Sequence, residues 1–366
     1  MVIINANVPL KNKRLNEIVI LRSIACLSVV LLHSIKFSVG YDYNGEVINF
    51  ILLTIAGMLS FGTPTFVFIS ALILSYTSPN SLPKGFYLKR VKFILLPYIF
   101  MGLFYSVFFN YKNVSEIPLS FVFNALGNYH GWFVLVIFQF YFLHHLFIKL
   151  DDRISPKLVL FVAFVINIIY LGYFNFYQPP FDNGTFNYIW DRGYWMPFIG
   201  WFFYFAIAYY FGKNYKKTIG YLEKYKVWVF SFLPFTTLLV IYNSFNSDIA
   251  SGSKRFDMVF YTMNLIFALL VVFYKVKKIP SIVELISKYS YGIYLVHWFC
   301  LTALTKVIES IGLDLGYFKI VYLFIGGIVC SIIMIYTINK LPFGKYIVGN
   351  IKITPRLKEQ KTKMAV

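Results

Sequence analysis

Leu21-Arg22-Ser23-Ile24-Ala25-Cys26-Leu27-Ser28-Val29-Val30-Leu31-Leu32-His33 is an apolar run bounded by two ionisable side chains eleven residues apart. It lies within a longer stretch, 18–38, and a helix needs about 20 apolar residues to cross a hydrocarbon core. At 3.6 residues per turn, eleven residues make almost three whole turns. Arg22 and His33 therefore share one helix face, roughly 16–17 Å apart along the axis. Snorkelling to the headgroups accounts for Arg22 taken alone, and an interfacial position accounts for His33 taken alone. Together they point to a face that lines a cavity, because ionisable side chains are costly against lipid.

The rest of the chain has the same character. Of 366 residues, 59% are hydrophobic and only 13% are charged, about half the charged share of a soluble domain. That leaves too little polar surface for a water-facing shell. An ordinary cytosolic or secreted enzyme, a disordered chain and a nucleic-acid binder are excluded. The expected fold is an all-α polytopic membrane bundle of about ten helices, at 18–38, 48–76, 88–109, 129–149, 157–174, 194–211, 226–243, 258–274, 291–308 and 318–338. The second run carries Gly62-Thr63-Pro64 at its centre. Proline removes a backbone donor, so a kink or break is expected there, either from packing alone or because the segment faces a cavity.

The net charge of +19 reads as a topology signal. Basic residues collect at every second connection: Lys11, Lys13 and Arg14; Lys84, Lys89 and Arg90; Lys149, Arg153 and Lys157; Lys213 to Lys226; Lys275 to Lys288; and the tail from Lys340 to Lys363. The alternate connections are poor in basic residues and carry acidic ones such as Asp42, Glu116, Asp182 and Asp248. Both termini are therefore expected in the cytoplasm. Three parts are expected: a cytoplasmic segment 1–17, a transmembrane domain 18–338 and a basic cytoplasmic tail 339–366. Cys26, Cys300 and Cys330 form no paired framework, and no cleavable signal peptide is expected.

Several strings resemble the acyltransferase-3 family of integral membrane acyltransferases. They are Arg22 and His33 in the first helix, Phe61-Gly62-Thr63-Pro64-Thr65-Phe66-Val67-Phe68-Ile69-Ser70 in the second, and Leu88-Lys89-Arg90-Val91-Lys92 before Pro97. Trp132-Phe133 with Gln139 and Tyr141, and Ser290-Tyr291-Gly292-Ile293-Tyr294-Leu295-Val296-His297, complete the set. Any one string is weak; five in order are specific. Phe61–Ser70, 90–106 and 200–225 look closest to the intercellular adhesion protein C type, linked to poly-β-1,6-N-acetylglucosamine either as an O-succinyltransferase or as an exporter. Ala71 and Phe93 depart from the wider family pattern, and no fused extracellular SGNH-type domain is expected.

The resemblance implies a cell-membrane enzyme that transfers an acyl group, acetyl or succinyl, from cytoplasmic acyl-CoA to a hydroxyl of a cell-surface glycan. His33 and Arg22 would be the catalytic pair, with His33 as general base or as acyl carrier. Arg90, Lys89 and Lys92 would bind the donor, guanidinium suiting its phosphates. His297 would be a donor ligand, a proton partner or a second cavity-lining polar group, with a bond to a neighbouring helix as its simpler role. His130 and Trp132 would meet the acceptor. Ser70, Ser290, Tyr291 and Tyr294 would line the cavity, with packing as their simpler role. His144 and His145 are expected at the interface. With the histidines spread over different helices and ends, no metal site is expected, and no cofactor beyond the acyl-CoA substrate. Membrane lipid, the glycan and a polysaccharide synthase are the expected partners, and nucleic acid is not. The competing reading is an exporter of a poly-N-acetylglucosamine-type polysaccharide without acyl transfer, which needs a continuous glycan-wide pore. A secondary transporter should show inverted repeats, and none is visible.

Overall fold

The computed structural model describes residues 14–40, 46–150, 153–244 and 252–351 as an all-α bundle. Lys11, Lys13, Asp42, Asp248 and the tail residues Lys352, Arg356, Lys358, Lys361 and Lys363 lie outside the described residues. The first half holds α1 (Asn16–Val39), α2 (Val47–Leu59), α3 (Gly62–Thr77), α4 (Phe86–Arg90), α5 (Leu96–Asn110), α6 (Ile117–Ala125) and α7 (Phe133–Leu150). The second holds α8 (Pro156–Phe176), α9 (Gly184–Trp195), α10 (Phe202–Lys213), α11 (Tyr215–Lys224) and α12 (Lys226–Ser244). It ends with α13 (Asp257–Phe273), α14 (Ser281–Ser310) and α15 (Phe318–Lys340).

α15 displays the inverted logic of a helix in lipid. Val321, Ile325, Val329 and Ile333 are exposed, whereas Leu323, Gly327, Ser331 and Ile335 are buried. That outward row is branched aliphatic, whereas the inward face, packed against α1 and α14, admits the small Gly327 and the polar Ser331 beside Leu323 and Ile335, unlike the polar outer face of a helix on a soluble domain. Among the described residues, eight helical spans are long and apolar enough to cross a membrane, and the chain is a multi-pass membrane protein. Two of the ten expected spans fall short. α13 has 17 residues, and the stretch 194–211 is not one helix.

Pro197 causes that second departure. α9 stops at Trp195, Pro197 is extended, and a 3₁₀ turn (Phe198–Trp201) leads into the 12-residue α10. The side-chain amide of Gln139 on α7 repairs the broken backbone. Its Nε2 donates to Met196 O at 2.9 Å, and its Oε1 accepts from Phe198 N at 2.9 Å. α10 then seals against α3, where a Cβ at Gly212 would stand 2.4 Å from Leu72 O, and Ser75 Oγ donates to Tyr209 O at 2.6 Å.

The expected break near Pro64 is present, between α2 and α3 at Ser60 and Phe61. Gly62 starts α3 so close to α1 that a Cβ would meet Ser28 Oγ at 2.5 Å and Ala25 O at 2.8 Å. Ser60 and Thr63 meanwhile line a cavity, so the break serves both packing and a polar interior. At the opposite end of α1, Asn16 Nδ2 donates to Val276 O at 3.1 Å and Lys277 O at 3.0 Å, Arg14 pairs with Glu284 at 2.9 Å, and Tyr215 donates to Glu17. These contacts gather the start of α1, the α10–α11 turn and the α13–α14 connection at one end, called here the basic end.

Candidate functional site

Two cavities lie in series along α1. The one toward the basic end has a volume of about 240 Å³. Arg22 of α1 and Arg90 of α4 both line it, with Ser70, Ser290 and Tyr291. The Arg90 guanidinium sits 4.9 Å over the Phe86 ring and 5.1 Å over the Tyr141 ring, contacts that suit a cation held away from bulk water. Among the described residues no Asp or Glu lines this cavity, so two guanidinium groups share a confined space without a lining carboxylate. Next to Arg90 the chain is wound as a π turn, Val91–Leu95, a form that often marks functional sites. Tyr291 Oη caps it by donating to Ile94 O at 2.6 Å.

The second cavity is larger, about 840 Å³. His33 of α1, His130 of the 3₁₀ turn before α7, and His297 with Trp298 of α14 meet there. The His297 ring centroid lies 5.3 Å from that of His33 and 5.1 Å from that of His130. Trp298 lies 4.9 Å from His33 and stacks on His130 at 5.5 Å. Backbone carbonyls set two of the tautomers, because a carbonyl only accepts. His297 Nδ1–H donates to Ile293 O at 3.0 Å and Tyr294 O at 2.9 Å, and His130 Nε2–H donates to Leu295 O at 3.1 Å. That leaves His297 Nε2 as an acceptor. Both His297 Nε2 and His33 Nδ1 are buried with no hydrogen-bond partner among the described residues. Buried ring nitrogens so placed can take a proton or a polar ligand.

Tyr105 of α5 braces this cluster from behind. Its hydroxyl donates to Leu295 O at 3.0 Å and accepts from Phe299 N at 3.1 Å. An ideal helix would join those two groups to each other. Leu295 O thus accepts from both Tyr105 and His130, which ties α5 and the His130 turn to α14 beside His297.

Tyr294 belongs to the lining of both cavities. Its hydroxyl donates to His130 O at 2.5 Å, which pins the ring as a partition between them. Arg22 and His33, on one face of one helix, therefore open into two chambers that share a wall.

Most residues singled out from sequence fall on these two linings. Arg22, Arg90, Ser70, Ser290, Tyr291 and Tyr294 line the first, and His33, His130, Trp132, Tyr294 and His297 line the second. Lys89 and Lys92 are exposed and line neither. Of the roles open to His297 from sequence, its place beside His33 fits a cavity-lining or proton-partner position rather than a donor contact at the basic end. The expected helix start at 291 placed it near the basic end, but α14 begins at Ser281 and carries it further across. The histidines are accordingly not spread apart: three converge. Among the described residues no set of three or more His, Cys, Asp or Glu is placed to hold a metal ion. His144 is buried, with Nε2 donating to Ser78 O at 3.1 Å, while His145 is exposed.

Sequence reading passed over a further set on the larger cavity: Tyr105, Lys36, Arg192, Trp195 and Lys254. The signal for the three cations was present. They stand at the end of the bundle where the connections are otherwise poor in basic residues, so each is an exception to the charge alternation.

The family described as "Acyltransferase domain" matches residues 15–339. A Bacillus subtilis protein named "Putative membrane-bound acyltransferase YfiQ" is 38% identical over 297 residues, covering 78% of this chain and 80% of that one. A Staphylococcus aureus protein named "Probable poly-beta-1,6-N-acetyl-D-glucosamine export protein" is 29% identical over 312 residues, covering 80% and 85%. A Staphylococcus epidermidis protein of the same name is 27% identical over 311 residues, covering 82% and 85%. No solved structure matches the chain significantly.

Proposed function

The chain belongs to the acyltransferase-3 family of integral membrane acyltransferases, and we propose that it carries an acyl group from cytoplasmic acyl-CoA through the bundle to a hydroxyl of a cell-surface polysaccharide or its precursor. On this reading the basic end faces the cytoplasm, both termini lie there, and the larger cavity faces outward across the cell membrane. The observation that carries the proposal is the shared wall at Tyr294 between a narrow arginine cavity and a wide histidine cavity. An extended pantetheine arm is comparable in length to the Arg22–His33 separation. Arg22 and Arg90 bind the donor's phosphates, for which paired guanidinium groups are suited. The thioester then lies at the partition, within reach of the histidine side.

The transfer balances without a cofactor. His33 takes the proton from the acceptor hydroxyl as its oxygen bonds to the acyl carbon, and the carbon–sulfur bond breaks. The sulfur leaves with a proton as free CoA thiol, and the acceptor leaves as an ester. His297 and Tyr105 act through position, holding the imidazole pair and the backbone around it. Export is the second reading, supported by what the staphylococcal relatives are named for. The partition favours transfer, since a cavity of about 240 Å³ walled by a pinned tyrosine suits a thin chain better than a glycan.

The test compares wild type with His33→Ala and Arg22→Ala for ester-linked acyl groups on the surface glycan, after confirming membrane insertion. Both variants are expected to lose esters. Normal ester content in inserted His33→Ala would overturn the catalytic assignment, and loss of polymer export with esters unchanged would favour the exporter.

A further inference from the structure

The larger cavity has a charged side that acyl transfer to a neutral hydroxyl does not require. Lys36, Arg192 and Lys254 line it, from α1, α9 and the connection before α13, and among the described residues no Asp or Glu does. Two of these cations share one ring. The Arg192 guanidinium carbon lies 5.2 Å, and Lys254 Nζ 5.5 Å, from the centroid of Trp195. Trp195 in turn packs at 4.6 Å against Trp132, so the cationic side adjoins the indole already placed on the acceptor side.

Like charges gathered on one indole repel, and the ring quadrupole offsets only part of that cost. Arg192 is held rather than free to swing away. Its Nη2 donates to Asn128 Oδ1, its guanidinium also lies 4.2 Å over the Tyr188 ring, and its Nε is buried with no hydrogen-bond partner among the described residues. Lys254 is held as well: its Nζ lies 5.2 Å over the Tyr194 ring, and its carbonyl accepts from Tyr194 Oη at 2.9 Å.

We infer that this side of the cavity is an anion subsite and that the acceptor is an acidic saccharide, bearing a carboxylate or a phosphate, held by Arg192 and Lys254 with its ring against Trp132 and Trp195. The inference rests on the reading of the larger cavity as the acceptor chamber. It names the acceptor's class and assigns Arg192 and Lys254 as the residues that select it.

Protonation gives the subsite a recognisable behaviour. Burial pushes the Lys254 ammonium down to about 8, helped by the like charges of Lys36 and Arg192 and opposed by Asp191. Its positive charge is therefore lost as pH rises through that value, while arginine keeps its own.

The experiment measures binding by intrinsic tryptophan fluorescence of the purified full chain in detergent. Three probes are used: an oligogalacturonate, its carboxyl-reduced neutral counterpart, and a sugar phosphate. The expected result is that at least one anionic probe binds about tenfold tighter than the neutral one. That preference weakens with added salt and shrinks between about pH 7 and about pH 9 as Lys254 deprotonates. The double substitution Arg192→Gln with Lys254→Gln abolishes the preference, so that anionic and neutral probes bind alike. Should the double variant unfold, Lys254→Gln alone must remove the pH dependence of the preference. Which anionic probe wins tells carboxylate from phosphate. Equal binding of all three probes by wild type, or a preference that survives the double substitution, would overturn the inference. Selective binding of an anionic probe with no ester formed would instead count against acyl transfer and leave the anion subsite standing.

Discussion

The two cavities are built from opposite materials. The one at the basic end is small, with aliphatic and aromatic walls and two guanidinium groups as its cations. The other is more than three times larger and mixes imidazole, indole, amide and amine groups. A narrow apolar passage ending in paired arginines favours a thin, flexible ligand with a strongly anionic head. A wide chamber with indole faces and imidazoles favours a bulky polar ligand and a proton transfer. On the proposed reading, the difference teaches that one helix face, presenting Arg22 and His33, divides its labour between the two chambers.

That division is open to a double dissociation. The largest expected effect is on His33→Ala, whose rate of ester formation should fall about 10²- to 10⁴-fold with the donor KM little changed; steady-state assays on reconstituted protein check this. Next, Arg22→Ala should raise the donor KM about 10- to 100-fold, the worth of a charge-assisted contact, and leave the acceptor KM alone. If the two substitutions produced the same kinetic pattern, the cavities would not be separate sites. At Gly62, where α3 starts against α1, Gly62→Val should destabilise the bundle by about 1–3 kcal/mol, read as a lower unfolding temperature in detergent with both chambers affected together. The smallest effect belongs to Tyr105→Phe. Losing a hydroxyl that serves Leu295 O and Phe299 N should lower turnover about fivefold without moving the donor KM, because it acts only on the histidine side.

Much of this division is written in the chain. Apolar run lengths reveal most of the helices, and the eleven-residue spacing of Arg22 and His33 is enough to align them. Two kinds of information were hidden. Helix ends are not read from apolar run length: Pro280 and Glu284 mark a start at Ser281, whereas the apolar run begins near Tyr291, and that shift decides which cavity His297 enters. Similarly, Pro197 hints at a break in 194–211, but the repair by Gln139 comes from a helix more than fifty residues away. The second kind is convergence. Lys36, Arg192 and Lys254 each look like an isolated surface charge, and only folding brings them to one lining.

The most direct test of passage from the arginine chamber to the histidine chamber separates donor and acceptor by the bilayer itself. The purified chain is reconstituted into sealed vesicles with the acceptor glycan inside and radiolabelled acetyl-CoA or succinyl-CoA only outside. Labelled ester should accumulate on the enclosed glycan and disappear with His33→Ala. Labelling only when donor and acceptor share a compartment, or undiminished labelling by His33→Ala, would contradict transfer through the bundle.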